Sequence, residues 1–340
     1  MATMTLESVL NGNPFNKSVV ASWRKQLEAF RQGQVQFADL KFSIEADQAA
    51  IVGTKQEART KWQVLPQPFI GNPEAKIWIL NINPGFCMMD YFDNLTIDKS
   101  DYCGKMVEEA NKKDKEALNI IRNEMPNDDN ERTRLEMRQK SALNQLTFCE
   151  KSFFFLKDCF KHDRLINRQK IFCGYEWWRR MLFGNGKKHK FIGNMNRREG
   201  QHYAAWSSEN IFNLESFPYH STSFYSDASF NRQWPESTYY KFWKSLINWA
   251  VQDESRIFIV RSPDQFEVLL HGGGDHDAGI RFPHGYLVLR NRQKAWFSDT
   301  NIETRGVLLS EIINGEASQD SISFYREWFA KFKDCSGIVG

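Results

Sequence analysis

Two amide side chains stand where an apolar run of the sequence ends, in the stretch WILNINPGF at residues 78–86. Asn81 and Asn83 come at the end of this strand-like run, and Pro84 and Gly85 then force the chain to turn. A strand that only fills a core has no use for two amides. Because an amide offers one acceptor and two donors, the pattern predicts a polar group at the mouth of a pocket.

Two further polar side chains are candidates for the same site. Asn213 lies in a second strand-like segment, NIFNLESF at residues 210–217, and His220 follows it in PYHS. An amide can both donate and accept hydrogen bonds. An imidazole can be neutral or charged near neutral pH. A lone histidine often has a purely structural role, and the sequence leaves a direct and a structural role open for His220.

A basic segment without acidic residues runs from Trp177 to Arg198. Its seven basic residues are Arg179, Arg180, Lys187, Lys188, Lys190, Arg197 and Arg198. Clustered lysines and arginines are what neutralises a nucleic-acid backbone, which favours a phosphate-contacting patch. A solvated basic loop would have the same composition, and the net charge of +3 alone does not indicate a nucleic-acid partner.

These candidate residues need a scaffold that brings strand ends together. Strand patterns at residues 77–82, 210–217, 255–260 and 284–290 alternate with helical patterns, of which ESTYYKFWKSLINWAVQD at 236–253 is the clearest. This alternation predicts an α/β fold with a parallel sheet covered by helices on both faces. Sites in such sheets lie beyond the carboxyl ends of the strands. Asn81, Asn83, Asn213 and Asn291 are all near such ends.

The other segments are predicted to be mainly helical or irregular. A helix is expected around residues 18–33 with Ser18 as its cap, a connector at 65–76, and a further helix at 304–315. The densely charged residues 99–142 are typical of a solvated helical insertion. The expected organisation is an N-terminal helical segment, 1–64, and an α/β domain, 65–340, with the insertion at about 95–170.

Composition narrows the class of protein. The chain has 340 residues, 41% of them hydrophobic, and no apolar stretch approaches the roughly 18 residues that a membrane helix needs. The beginning of the sequence lacks the pattern of a signal peptide, so we expect a cytoplasmic protein without a membrane partner. The six cysteines form no C-x-x-C pair. We therefore expect neither a metal nor another cofactor.

The stretch Asn-Ile-Asn-Pro-Gly at residues 81–85 resembles the Gly-Ile-Asn-Pro-Gly motif of the mismatch-specific, thymine-glycosylase-like branch of the uracil-DNA glycosylase superfamily. It departs at the first position, where Asn81 replaces glycine. In that family the motif follows the first strand, a later strand ends in an asparagine that reads the base, and the last strand feeds a DNA-contacting loop. IFNLESFPYHS supplies the second feature through Asn213, and NRQKAWFS at 291–298 corresponds loosely to the third without its Pro-Ser pair. The resemblance spans about residues 65–315.

The resemblance implies a three-layer α/β sandwich with a short, mainly parallel sheet, and it gives roles to individual residues. The catalytic residues that it implies are Asn83, Asn81 and His220. The base-binding residues are Phe86, Asn213 and Tyr91. The expected DNA-contacting residues, which combine the basic segment with the last loop, are Lys187, Lys188, Lys190, Arg197, Arg198, Asn291, Arg292 and Trp296.

The expected function is that of a monofunctional DNA glycosylase. It would hydrolyse the N-glycosidic bond of a flipped uracil or modified pyrimidine and leave an abasic site, with DNA as partner and no obligate protein partner. A prokaryotic defence glycosylase that acts on modified phage DNA is one option that the resemblance implies. Two alternatives stay open: a catalytically silent member of the fold that binds nucleic acid or a nucleotide, and a hydrolase of free nucleosides.

Overall fold

The structure, a computed structural model, describes residues 4–85, 209–271, 280–288, 307–308, 320 and 323–328. Its N-terminal segment is helical, with α1 (Leu6–Leu10), α2 (Lys17–Arg31) and α3 (Glu45–Ala49). The cap of α2 is Asn16, whose side chain accepts the N–H groups of Ser18 and Val19 at 3.0 and 3.1 Å. The prediction of Ser18 as the cap was wrong, because its hydroxyl instead donates to Asn16 at 2.6 Å.

A mixed sheet lies at the centre of the described fold. Its strands are β1 (Phe69–Gly71), β2 (Ile77–Asn81), β3 (Ile211–Glu215), β4 (Ile257–Val260), β5 (Leu287–Val288) and β6 (Val307–Leu308). Their order across the sheet is β1-β3-β2-β4-β5-β6. β2 pairs in parallel with β3 and β4, and β4 with β5, whereas the outer strands β1 and β6 run antiparallel to their neighbours. The α/β class is therefore confirmed, with a sheet that is mixed.

The four predicted strands are present, and the two antiparallel strands are the ones the sequence did not predict. β1 lies in the Pro/Gly-rich stretch taken as a connector. Gly71 has φ +102° there, and a Cβ at that position would come 2.2 Å from the carbonyl oxygen of Ile211, so the strand requires glycine. β6 lies within the predicted helix at 304–315, and that prediction was wrong at residues 307–308, which pair with β5.

The core lies against one face of the sheet. Alternation along the strands points Trp78, Leu80, Phe212, Leu214, Phe258 and Val260 to this face. α4 (Ala228–Gln233), α5 (Thr238–Ala250) and α6 (Pro263–His271) follow β3 and β4 in the chain. The predicted amphipathic helix is confirmed as α5, which begins at the cap Ser237 and buries most of its aromatic residues. Phe15 from the N-terminal segment reaches the same core, 5.7 Å from Tyr239 between ring centroids.

The opposite face of the sheet is buried as well. It carries Ile77, Ile79, Ile211, Ile257 and Ile259, each at most 1% exposed. Strands buried on both faces are typical of parallel α/β sheets and explain their continuous apolar runs. Within the described residues, no helix is long and apolar enough to cross a membrane.

The strand order defines where a ligand would bind. From β2 the chain passes to its neighbour β3, in the direction of β1, and from β4 it passes to its neighbour β5, in the opposite direction across the sheet. Such a reversal leaves a crevice outside the carboxyl ends of β2 and β4, which is where open α/β sheets bind ligands. The turn at residues 83–85 lies at this point.

Candidate functional site

Three polar side chains meet in the buried part of the sheet, at the carboxyl ends of β2 and β3. The parallel register places Asn81 opposite Glu215, and Asn213 two residues earlier on β3. Because side chains alternate along a strand, all three lie on the face away from the aromatic core. Asn213 is completely buried, and Asn81 and Glu215 are each 3% exposed. We call this group the amide–carboxyl network.

Hydrogen bonds join the network but do not complete it. Asn81 Nδ2 donates to Asn213 Oδ1 at 2.5 Å and to Glu215 Oε1 at 3.1 Å. Asn213 Nδ2 donates to the same Glu215 oxygen at 2.9 Å. Asn81 Oδ1 and Glu215 Oε2 are buried and have no hydrogen-bond partner among the residues that the structure describes. An unpaired buried polar atom lowers the stability of the folded state by about 1–3 kcal/mol, so this arrangement is less stable than apolar side chains at the same positions would be.

Glu215 changes its protonation near neutral pH. Burial raises the pKa of Glu215 to about 7, although hydrogen bonds from Asn213 and Asn81 and the charges of Arg261 and His220 act to lower it. Arg261 directly follows β4, and its main-chain N–H donates to the carbonyl of Leu80 at 3.2 Å. A carboxyl group with a pKa close to the working pH is suited to proton transfer.

The turn after β2 is held from both sides by Asn83. Its Oδ1 accepts the N–H of Gly85 at 3.0 Å, and its Nδ2 donates to the carbonyl of Tyr219 at 2.8 Å. Gly85 has φ +72° with no atom within 4 Å of where a Cβ would stand, so glycine is needed there for its backbone conformation rather than for space. The second lone pair of Asn83 Oδ1 has no partner among these contacts.

His220 fastens the same turn to the segment after β3. Its Nδ1 lies 2.6 Å from the carbonyl oxygen of Gly85. Because a carbonyl can only accept, Nδ1 carries the proton in this contact. The His220 carbonyl accepts the N–H of Lys61 at 2.8 Å, and the side chain is only 4% exposed. His220 thus links the turn to the N-terminal segment.

A buried carboxyl on α3 supports this loop from behind. The hydroxyl of Tyr219 donates to Asp47 Oδ2 at 2.8 Å and accepts the N–H of Ile44 at 3.1 Å. Asp47 Oδ1 accepts the N–H of Tyr239, at the start of α5, at 2.9 Å. Burial raises the pKa of Asp47 to about 6, against the lowering effect of these hydrogen bonds. The position of residues 219 and 220 therefore depends on α3 and α5.

The predicted site residues that the structure describes fall into two adjoining groups. Asn81 and Asn213 share the amide–carboxyl network, and Asn83 and His220 meet at Gly85. The other predicted residues lie outside the described residues: Phe86, Tyr91, Lys187, Lys188, Lys190, Arg197, Arg198, Asn291, Arg292 and Trp296.

The sequence reasoning missed the residues with the strongest electrostatic signal. Glu215 stands two residues after Asn213, a spacing that puts both on one face of a strand and could have identified it. Arg261 directly follows an apolar strand, as Asn81 ends one. No local signal joins Asp47 to Tyr219, because they are 172 residues apart in the chain.

Comparison with protein-family models, with curated proteins and with solved structures finds no match for this chain. Among the described residues, no group of three or more His, Cys, Asp or Glu side chains is arranged to hold a metal ion. The side chains of the site are three amides, a carboxyl with a pKa near 7, an imidazole and an arginine.

Proposed function

We propose that the protein is a DNA glycosylase that hydrolyses the N-glycosidic bond of a flipped uracil or modified pyrimidine and leaves an abasic site. The observation that carries the proposal is the buried amide–carboxyl network on β2 and β3, next in the chain to the Asn83 turn that follows β2. The resemblance of residues 81–85 to a glycosylase motif supports it, because this turn follows the first of the parallel strands, as in that family.

The network suits the departing base. A base inside duplex DNA cannot be reached, so the nucleotide must leave the stack and enter a pocket of the enzyme. Bond cleavage then places negative charge on the base. Asn81, Asn213 and Glu215 present polar atoms at the strand ends, where Asn81 Oδ1 and Glu215 Oε2 have no hydrogen-bond partner among the described residues. Asn81 Oδ1 can accept a hydrogen bond from a base edge, and Glu215, when it carries its proton, can donate one to the departing base.

The Asn83 turn suits the attacking water. The remaining lone pair of Asn83 Oδ1 can accept a hydrogen bond from a water beneath C1′ of the sugar, while the bonds to Gly85 and Tyr219 fix the orientation of the amide. An amide is too weak a base to remove the proton. His220 belongs to this part of the site because its ring holds Gly85 in place, and the proton of the water passes to solvent.

The proposal also includes the finer fold and the partners. It assigns the chain to a three-layer, uracil-DNA glycosylase-like sandwich that works in the cytoplasm without a cofactor. Its partner is DNA, with modified phage DNA as one option, and the predicted basic residues would contact phosphates.

A second candidate function follows from the bonds of Asn83. Both ends of its amide are already engaged within the protein, with Gly85 and Tyr219. A turn of this kind is stable without any substrate, which favours a catalytically silent protein that binds nucleic acid or a nucleotide. The two candidates agree on the site and differ on whether a bond is broken.

Base release from duplex oligonucleotides tests the proposal, with free nucleosides as a second substrate. We expect release from the oligonucleotides and not from the nucleosides, and a loss of about 10²-fold or more in Asn83→Ala, comparable to removing one group that positions a reactant. Asn13→Ala is the matched control, because Asn13 makes the same type of turn, accepting the N–H of Phe15 at 3.0 Å, away from the strand ends.

Three outcomes would contradict the proposal. Binding of DNA without release of any base would favour the silent protein. Release from free nucleosides at an equal rate would indicate a nucleoside hydrolase. Equal rates in Asn83→Ala and Asn13→Ala would remove Asn83 from the mechanism.

A further inference from the structure

The unpaired oxygens of the amide–carboxyl network define what kind of base edge it can bind. Asn81 Oδ1 and Glu215 Oε2 belong to side chains joined by a 3.1 Å hydrogen bond, and both are buried without a partner in the described part of the chain. The amide oxygen can only accept a hydrogen bond. The carboxyl oxygen donates when it carries a proton and accepts when it does not. The two oxygens are therefore either one acceptor and one donor, or two acceptors.

We propose that these two oxygens bind the edge of an amino-bearing pyrimidine, a base of the cytosine type, and that Glu215 transfers a proton to the ring nitrogen of that base; this rests on the proposed function. The amino group of such a base donates to Asn81 Oδ1, and its ring nitrogen accepts from protonated Glu215. After the proton has moved, the base presents two donors to two acceptors. Every group is paired before and after the transfer.

Uracil fits the same oxygens in only one protonation state. It presents one donor, the ring N–H, beside a carbonyl oxygen, so it pairs fully only while Glu215 is protonated. An ionised Glu215 would face that carbonyl oxygen with a second acceptor, which leaves buried groups unpaired. A carbonyl oxygen is also much less basic than the ring nitrogen of an amino-pyrimidine, so the proton would not transfer to it readily.

The proposed step balances as follows. The proton of Glu215 Oε2 moves to the ring nitrogen, and the bond between the base and C1′ breaks with its electron pair passing to the base, which leaves neutral. The oxygen of a water molecule bonds to C1′ and releases one proton, which restores Glu215 through solvent. One water is consumed and no other reactant is needed.

Other groups around Glu215 set its charge but are placed differently. Arg261 after β4 and His220 after β3 both act to favour its ionised form, and the Tyr239 hydroxyl on α5 donates to its main-chain carbonyl at 2.5 Å. Asn81 and Asn213 donate to Oε1, which leaves Oε2 as the oxygen that can carry the proton.

The ring position C5 lies away from the recognised edge, so these residues would not distinguish cytosine from its 5-substituted derivatives.

Binding of stable substrate analogues tests this inference separately from catalysis. The probes are two duplexes with 2′-fluoroarabino-cytidine or 2′-fluoroarabino-uridine opposite an abasic analogue, so that both bases are equally unpaired. At pH 8 the free Glu215 is mostly ionised, so either probe pairs fully only when the complex takes up one proton, and the ring nitrogen of cytidine holds that proton more firmly than the carbonyl oxygen of uridine. We therefore expect the wild-type protein to bind the cytidine probe about 10-fold more tightly at pH 8, and the preference to shrink at pH 6, where Glu215 already carries the proton for either base. In Glu215→Gln the side chain is always one donor and one acceptor, so the preference should be small at both pH values.

Base release supplies the second readout. With duplexes that hold one 5-hydroxymethylcytosine or one uracil, we expect the wild-type protein to release the former faster, and Glu215→Gln to lose that release by about 10²-fold because it has no proton to give. Glu57→Gln is the matched control, since the Glu57 carboxylate accepts the N–H of Gly53 at 2.7 Å in a different part of the chain.

The outcomes separate this inference from the proposed function. Equal binding of the two probes by the wild-type protein at pH 8 would overturn it, even if bases are released. So would a Glu215→Gln protein that keeps the preference and its pH dependence. A cytidine preference without any base release would support the recognition by Asn81 and Glu215 and refute the glycosylase.

Discussion

The pH dependence of stability in Glu215→Gln is a prediction that requires no substrate. Glutamine keeps the size of the side chain and its acceptor for Asn81 and Asn213, and it cannot ionise. A buried carboxyl with a raised pKa binds its proton more tightly in the folded than in the unfolded state. Its stabilising contribution is therefore complete below the unfolded pKa and is lost as the pH rises through the folded pKa.

The size of the effect follows from the change in pKa. For Glu215 the pKa rises from 4.5 to about 7. Since one pKa unit corresponds to about 1.4 kcal/mol, the contribution of Glu215 to the free energy of unfolding should fall by about 3 kcal/mol between pH 4.5 and pH 8. The wild-type protein should thus lose stability relative to Glu215→Gln across that window, by that amount.

Chemical unfolding at pH 4.5, 5.5, 6.5, 7.5 and 8.5 measures the difference. Tryptophan fluorescence is a suitable signal because Trp78, Trp234 and Trp243 are fully buried. Asp47→Asn is the comparison variant. Because the pKa of Asp47 rises from 3.8 to about 6, the stability that its protonated form contributes should be fully lost about one pH unit lower than for Glu215. A difference between wild type and Glu215→Gln that stays constant over this range would refute the electrostatic account of the network.

Two further predictions concern the scaffold of the site. Gly71→Ala should lower the free energy of unfolding by about 2 kcal/mol or more, because the new Cβ would meet the Ile211 carbonyl. Gly33→Ala, at φ +72° with open space around it, should lower it by less. Urea unfolding compares the two variants, and equal losses would show that the close approach to Ile211 does not matter. Tyr219→Phe should lower the free energy of unfolding by about 1–3 kcal/mol, because Asp47 and the N–H of Ile44 lose their partner. It should also slow base release at unchanged DNA affinity. Unchanged turnover in a folded variant would contradict the idea that Tyr219 positions the turn.

The central strands could be predicted from the sequence because their apolar runs are unambiguous. Residues 77–81, 211–215 and 257–260 are buried on both faces, so each is a continuous run of apolar residues broken only by the site residues. The edge strands could not. β1 spans three residues in a segment that Pro and Gly mark as a turn, and β6 is two residues long and depends on its distant partner β5.

The site was predictable to the extent that it follows strand ends. Asn81, Asn83 and Asn213 stand out as amides in apolar segments. The strand ends bring Asn81 and Asn213 into contact, whereas Asn83 bonds to Gly85 and Tyr219. Glu215 was missed because an acidic residue at the end of a strand is normally a solvated one, and only the register opposite Asn81 buries it. The hydrogen bond between Tyr219 and Asp47 joins residues far apart in sequence and is visible only in the fold.

The central claim is that a base is cut from DNA by hydrolysis at this site. The most direct measurement is the number of free bases, determined by mass spectrometry, per alkali-labile site formed in a duplex with one modified pyrimidine. The glycosylase account predicts one free base for each such site, an unbroken strand before alkali, and a loss of both products in Asn83→Ala. No free base, or strands already cut before alkali with a borohydride-trapped adduct between protein and DNA, would contradict it.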